Sequence, residues 1–229
     1  MKTLLDREEL VFNPPDLGCV LYLPGLPGGG SKIDDRSPYG NQGTITGASW
    51  KRLPSGLWCL SFDGQDDYVD CGDQASLDIG SNQDFTIEAW IKTADLGVNS
   101  TILSKRAGSG HYYVFRLMDS GKLRFLWDDG TSGNVDSDSV WDDDAWHLVA
   151  IARQGTSVVF YVDGGADGSD TKTIGDLSNS ASFQIGIYNT GQHPFNGSIA
   201  LPRFYKNRAL SALEIQNHFN QEKHLFGVW

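Results

Sequence analysis

The sequence predicts an all-β protein, an antiparallel β-sandwich closed by a short C-terminal helix. Three observations carry that prediction. Between Phe85 and Asp163 five strings follow one another: FTIEAWIK (85–92), YYVFRLM (112–118), KLRFLW (122–127), WHLVAIAR (146–153) and SVVFYVDG (157–164). Each alternates or is rich in β-branched and aromatic residues, and Gly, Asn and Asp clusters separate them. A strong helix-start pattern occurs once, after Leu210. The 229 residues carry no mid-chain linker, and one sandwich can fill that length.

Residues 1–16 lie outside the strand pattern as an N-terminal arm, and 17–229 form the single predicted domain. KTLLDREEL (2–10) predicts a short helix that Pro14 and Pro15 end. Leu4, Leu5, Leu10, Val11 and Phe12 are too apolar for a solvated tail. The arm is therefore expected to dock across a subunit boundary, in a homo-oligomer or on a larger particle.

GCVLYL (18–23) predicts the first buried strand, GLPGGGS (25–31) a loop, and 32–47 a turn-rich connector closing on a short strand. LWCLSFDG (57–64) and DYVDCG (67–72) read as a hairpin around Gly64, Gln65 and Asp66. With Phe62 facing Tyr68, that register sets Cys59 opposite Cys71. Cross-strand Cβ atoms lie roughly 4.5–5.5 Å apart, close to disulfide range. Either a disulfide forms in an oxidising compartment or two half-buried thiols remain. With Cys19 the cysteines are odd in number, so no disulfide scaffold is implied.

In FTIEAWIK, Phe85, Ile87, Ala89 and Ile91 share one face, while Thr86, Glu88, Trp90 and Lys92 share the other. Residues 93–111 read as a long loop around the short strand TILSK. Residues 128–145 form an acidic stretch with little strand character, and 164–182 are mostly Gly, Asp, Ser and Thr. FQIGIY (183–188) and SIALPRFYK (198–206) are the closing strands. Pro202 cannot donate to a ladder, so its strand is expected at an edge or bulged. Ser211 to Glu214 is a capping box with Leu210 and Ile215 at the staple positions, which predicts a helix over 212–220.

The net charge is −11 and the pI about 4.7, which argues against sequence-independent nucleic-acid binding. No apolar run reaches the length of a membrane helix, and no cationic amphipathic helix suggests membrane docking. The first residues lack a leader pattern, which predicts a protein made in a cytoplasm unless a leader was removed. A virion surface or a secreted location would each fit, and the residues do not choose. The acid is 24 Asp against 5 Glu, as expected of solvated turns or of Ca²⁺ ligands.

The strings LSFDGQDDYVDCG (60–72), FTIEAWIK, AWHLVAIAR (145–153), VVFYVDG (158–164), FQIG (183–186) and FNGSI…RFYKNRALSALEI (195–215) together resemble the laminin-G-like, concanavalin A-like jelly roll of the pentraxin branch. The resemblance implies two antiparallel sheets of six or seven strands each. It also implies a mostly non-enzymatic role, binding glycans or proteins, often with Ca²⁺. Asp35, Ser37, Gly40 and Asn41 match the N-terminal half of the family's calcium stretch, so Asp35 and Asn41 are the expected metal ligands. Ala200 stands where relatives carry the second carboxylate.

Sandwich glycosidases place paired carboxylates on one strand. Here Glu88 is the only strand Glu and has no acidic neighbour at 86 or 90. No G-x-S-x-G elbow exists, and the five histidines lack zinc spacing. No enzyme is expected. Asn134, Asp136 and Asp138 begin like a calcium loop, but Ala145 stands where a closing Glu would be. Sugar binding needs an aromatic plate beside planar polar groups. The candidates are His111 with Tyr112 and Tyr113, Trp127 with Asp128 and Asp129, Trp141, and Tyr188–Asn189 with Gln192–His193. Trp90 lies on the polar-parity face and is a further surface candidate. Trp127 shares parity with Leu123 and Phe125, so a core position is its alternative; Trp58 and Trp146 are core by parity. The reading is a non-catalytic recognition module for glycan or a protein surface. The alternative is a virion structural protein, a capsid decoration or tail component.

Overall fold

Strand-forming residues extend further than the alternating strings alone indicate. The structure, a computed structural model, describes residues 17–25, 30–93, 98–106, 108, 110–141, 143–188 and 191–229. The arm (1–16), its expected helix and Asn189 lie outside the described residues. In chain order the strands are β1 (Cys19–Tyr22), β2 (Lys32–Ile33), β3 (Gly43–Thr46), β4 (Ser49–Arg52), β5 (Trp58–Asp63), β6 (Tyr68–Asp70), β7 (Phe85–Lys92) and β8 (Ser100–Lys105). They continue with β9 (Tyr112–Leu117), β10 (Lys122–Asp128), β11 (Ser132–Val140), β12 (Trp146–Gln154), β13 (Ser157–Val162), β14 (Gly165–Thr171), β15 (Phe183–Ile185) and β16 (Asn196–Lys206). Helix α1 (Ala212–Glu222) follows.

Two antiparallel sheets pack face to face. The first runs β14-β13-β12-β7-β16-β5-β4, with β1 also on β16; the second runs β11-β10-β9-β8-β15-β6-β3-β2. Among the described residues each holds eight strands, more than the six or seven the resemblance implied. The two extra ones of note are β11 and β14, which arise from the stretches read as acidic loop and polar linker. Both are outer strands rich in Asp, Ser and Gly, and only their cross-strand hydrogen bonds hold them extended.

The expected hairpin at 57–72 is absent. β5 pairs with β4 and β16 in the first sheet, and β6 pairs with β3 and β15 in the second. The intervening turn is an arch that carries the chain across the sandwich. Cys59 therefore never meets Cys71: Cys59 packs on the outer face of the first sheet and Cys71 in the inter-sheet core. Cys19, Cys59 and Cys71 are free and buried.

β7 keeps its predicted parity. Phe85, Ile87, Ala89 and Ile91 point into the inter-sheet core. The other face is not exposed, because α1 and the C-terminal tail cover it. Trp90 is fully buried there, stacked on Phe226 and Phe219 with centroids 4.1 and 5.8 Å away. Its Nε1 donates to Glu222 Oε2 at 2.7 Å. Trp146 and Trp58 are only half-buried; Trp146 packs on this outer layer against Phe226 rather than in the core.

The capping box forms: Ser211 Oγ accepts from Glu214 N, and Glu214 Oε2 accepts from Ser211 N. At Ala200–Arg203 the β7–β16 register shifts, and Leu201 takes a φ of 48°. This is the bulge that Pro202 required, and it sits in an inner strand.

Candidate ligand-binding face

α1 and the C-terminal tail cover the middle of the outer face of the first sheet, while the outer face of the second sheet carries no helix among the described residues. The alternation in β9 builds its centre. Tyr113, Phe115 and Leu117 point inward and are fully buried, so Tyr112, Val114 and Arg116 point outward. Register partners share a face, which sets Arg124, Leu126 and Asp128 of β10 and Thr101 and Ser104 of β8 beside them.

Ile187, Tyr188, Gln192 and His193 lie over one end of this face. Tyr188 and Gln192 bridge each other, Thr101 N donates to His193 O at 2.9 Å, and Ser104 Oγ donates to Ile187 O at 2.9 Å. His193 adopts a φ of 49°, and its ring lies 5.1 Å from the Tyr188 ring. Tyr188, Tyr112 and Val114 form a small buried cluster with Leu126 against it. Arg106 covers that cluster: its guanidinium carbon is 4.0 Å from the Tyr112 centroid and 4.7 Å from the Tyr188 centroid. The tyrosines are thus no bare plate; the half-buried Arg106 and His193 present the surface.

The electrostatics are unusual for so acidic a chain. Arg106, Arg116 and Arg124 gather here. Arg124 forms a bidentate pair with Asp136, both contacts 2.6 Å. Burial holds the Arg116 pKa below the ordinary arginine value, and the charges of Arg124 and Arg106 push the same way. Burial, then Arg116 and Arg106, lower the His193 pKa, so its ring is neutral at neutral pH. Arg116 Nε and Thr101 Oγ1 are buried and have no hydrogen-bond partner among the described residues.

Of the residues singled out in the sequence, the structure brings His193, Tyr188 and Tyr112 together here. His111 is exposed at the mouth of β9, with Nδ1 2.5 Å from Asp176 O. Tyr113 is interior and donates to Leu77 O. Trp127 is 3% exposed and lies across Gly133, where any Cβ would come within 2.4 Å of its ring; it is core. Asp128 and Asp129 hold turns: Asp128 accepts from Gly130 N and Ser132 Oγ, and Asp129 from Thr131 N and Gly175 N. Trp141 is half-buried, donates to Asp167 Oδ2 at 2.6 Å and sits edge-on to His147. Arg106 and Arg116 went unnoticed in the sequence; the YYVFRL alternation, which puts Arg116 on the face of Tyr112, was the available signal.

The calcium expectation meets a full donor set. Asp35 Oδ1 accepts from Tyr22 N and Ser37 N, and Oδ2 from Ser37 Oγ and Asn41 N, at 2.6–2.9 Å. Asn41 Nδ2 donates to Val20 O and to Ser76 Oγ. These donors take up the carboxylate's lone pairs, and Ala200 is buried elsewhere in the outer layer. The residues do not fit a cation at this position. Asp63, Asp66 and Asp67 bring one oxygen each within 4.8 Å at the β5–β6 arch. There Asp67 Oδ2 accepts from Asp63 N and Asp63 Oδ1 from Gln65 N, so two of the three brace the turn.

Glu88 is unavailable for hydrolysis. It is fully buried beneath α1, with Arg203 Nη1 and His218 Nδ1 each 2.9 Å from Oε1.

Among solved structures, the fold resembles the binding domain of Paraclostridial Mosquitocidal Protein 1 (TM-score 0.72, 17% identity, 92% of this chain and 55% of that one). It also resembles domain 4 of AbnA, an extracellular arabinanase of Geobacillus stearothermophilus solved with arabinotriose (TM-score 0.68, 19% identity, 87% of this chain and 97% of that one). A third is the ligand-binding domain of botulinum neurotoxin serotype D, solved with N-acetylneuraminic acid (TM-score 0.68, 13% identity, 89% and 50%). The chain spans about half the length of the toxin domains. No curated protein sequence matches it. No helix among the described residues is long and apolar enough to cross a membrane. The model of the concanavalin A-like lectin/glucanases superfamily matches residues 63–216, well over half the chain, and the protein belongs to that superfamily.

Proposed function

We propose that this chain is a non-catalytic recognition module that binds a glycan through the outer face of its second sheet. The observation that carries the reading is the asymmetry of the sandwich. The middle of one outer face is covered by α1, and the other gathers Arg106, Tyr112, Tyr188, His193 and Arg116. Flat side chains beside convergent donors are what a sugar requires: stacking for its C–H faces and hydrogen bonds for its hydroxyls. The arabinanase domain with arabinotriose and the neurotoxin domain with N-acetylneuraminic acid support the reading by fold. The burial of Glu88 beneath α1 supports the absence of hydrolysis.

A glycan array probed with the parent, Arg106→Ala and His193→Ala tests this. The expected result is retention of a defined glycan set by the parent and its loss in both variants. Leu213→Ala, at an exposed position on α1, should bind as the parent does. A parent that retains no glycan, or variants that bind like the parent, would overturn the proposal.

A further inference from the structure

We infer that Arg116 receives the carboxylate of an acidic sugar. This rests on the glycan reading above and names the chemical class of its ligand. The chain carries a net charge of −11, and several of its cations are held by its carboxylates. Lys105 meets Asp73 and Asp78, Arg124 meets Asp136, and Arg203 meets Glu88 and Glu222. Arg116 differs. It sits half-buried near the end of β9, makes no ion pair among the described residues, and its Nε is buried without an acceptor. Asp119 acts on it through space only.

Directly across the ladder, Thr101 is fully buried and its Oγ1 also lacks a partner. Two orphan donors on facing residues of one surface are costly to keep, because buried polar groups are almost always paired. An external oxyanion would pair the exposed edge of the Arg116 guanidinium, while Thr101 Oγ1 lies buried beside it. A guanidinium fork matches a planar carboxylate with two parallel N–H···O bonds.

The surroundings agree. Arg106 supplies a second guanidinium, and no described carboxylate pairs with it. Asp136 has already cancelled the charge of Arg124, so it does not compete for the ligand. His193 is neutral, so it can share hydrogen bonds with sugar hydroxyls rather than add charge. The carboxylate therefore meets Arg116 while the ring lies toward Arg106 and His193.

Calorimetric titration of the whole chain with trigalacturonate and with sialyllactose tests the inference, beside three controls: methyl-esterified trigalacturonate, arabinotriose and dextran sulfate. At least one carboxylated probe should bind, methyl esterification should abolish any trigalacturonate binding, and raised salt should weaken it. Arg116→Gln should lower affinity by about tenfold or more, and Arg116→Lys should not restore it, because a point charge lacks the fork. Arg116→Gln should melt like the parent, since it removes a group that makes no side-chain hydrogen bond among the described residues; a melt control thus separates lost binding from lost folding. Binding of dextran sulfate alone would overturn the carboxylate assignment and assign the fork to a sulfate. Arabinotriose binding with neither acidic probe bound would overturn this inference and leave the glycan reading intact. No binding to any probe would count against both.

Discussion

Replacing Arg203 with Met should destabilise the fold sharply and without touching the candidate face. Arg203 stands between two carboxylates under α1. Nη1 is 2.9 Å from Glu88 Oε1, and Nη2 contacts Glu222 Oε1. Glu88 is fully buried, Glu222 nearly so, and His218 Nδ1 adds a second contact to Glu88. The charges balance only while His218 is protonated. Without Arg203, two buried carboxylates share one imidazolium. Removing one partner of a buried pair costs about 3–5 kcal/mol, and a chain of this size loses about 2–4 °C per kcal/mol. The expected fall in melting temperature is therefore about 6–20 °C at pH 6, followed by circular dichroism. Burial pulls the His218 pKa down, but the hydrogen bond and charge of Glu88 outweigh it and raise it above 6.5. Its contribution is complete below about pH 6.5 and is lost as pH rises through the raised value. His147, raised by Asp163 and Asp143 against burial, acts with the same sign, so the slope should be read as the difference between the parent and His218→Gln. An Arg203→Met melt within about 2 °C of the parent would refute the reasoning.

Other consequences are as direct. EDTA and Ca²⁺ should leave the melting temperature unchanged, since the Asp35 oxygens are already filled; Asp35→Ala should cost about 2–4 kcal/mol in urea titration by orphaning the Tyr22 and Asn41 amides. A rise of several degrees with Ca²⁺ would reverse that account. Trp127→Ala should lose about 3–5 kcal/mol, as a core position loses, rather than selectively lose ligand. A native protein whose thiols are buried should resist a thiol reagent at pH 8, because burial pushes Cys19 to about 12 and Cys59 to about 11 and raises Cys71 as well. After unfolding without reductant, all three should label; fewer would reveal a disulfide.

Much of the fold was legible because β7, β9, β10, β12 and β13 alternate cleanly and α1 carries its own start signal. The misreadings share a cause: period-two patterns give parity, not what covers a face or which strand lies alongside. Trp90 had the right parity and the wrong exposure, because α1, distant in sequence, lies over it. The 57–72 hairpin looked local because a glycine-bearing turn joins two strands, yet the turn crosses between sheets. β11 and β14 escaped because their residues do not favour strands and only their neighbours hold them. At the candidate face, Tyr112, Tyr188 and His193 were visible as residues, while Arg116 stood out only once its lack of partners was known.

The position of β16 has a consequence for synthesis. It lies between β7 on one side and β5 and β1 on the other, the bulge at Leu201 and Pro202 dividing that second side between two strands. Cys19 pairs with Tyr205, and Phe85 with Lys206. A nascent chain that has not yet delivered residues 196–206 has the edges of β1, β5 and β7 open at once, and none can close locally. Folding of the first sheet therefore waits until residues 196–206 have left the ribosome, and the loop-closure entropy of these distant pairings slows it further. Chains truncated before Asn196 should expose three adhesive edges and aggregate rather than fold in part.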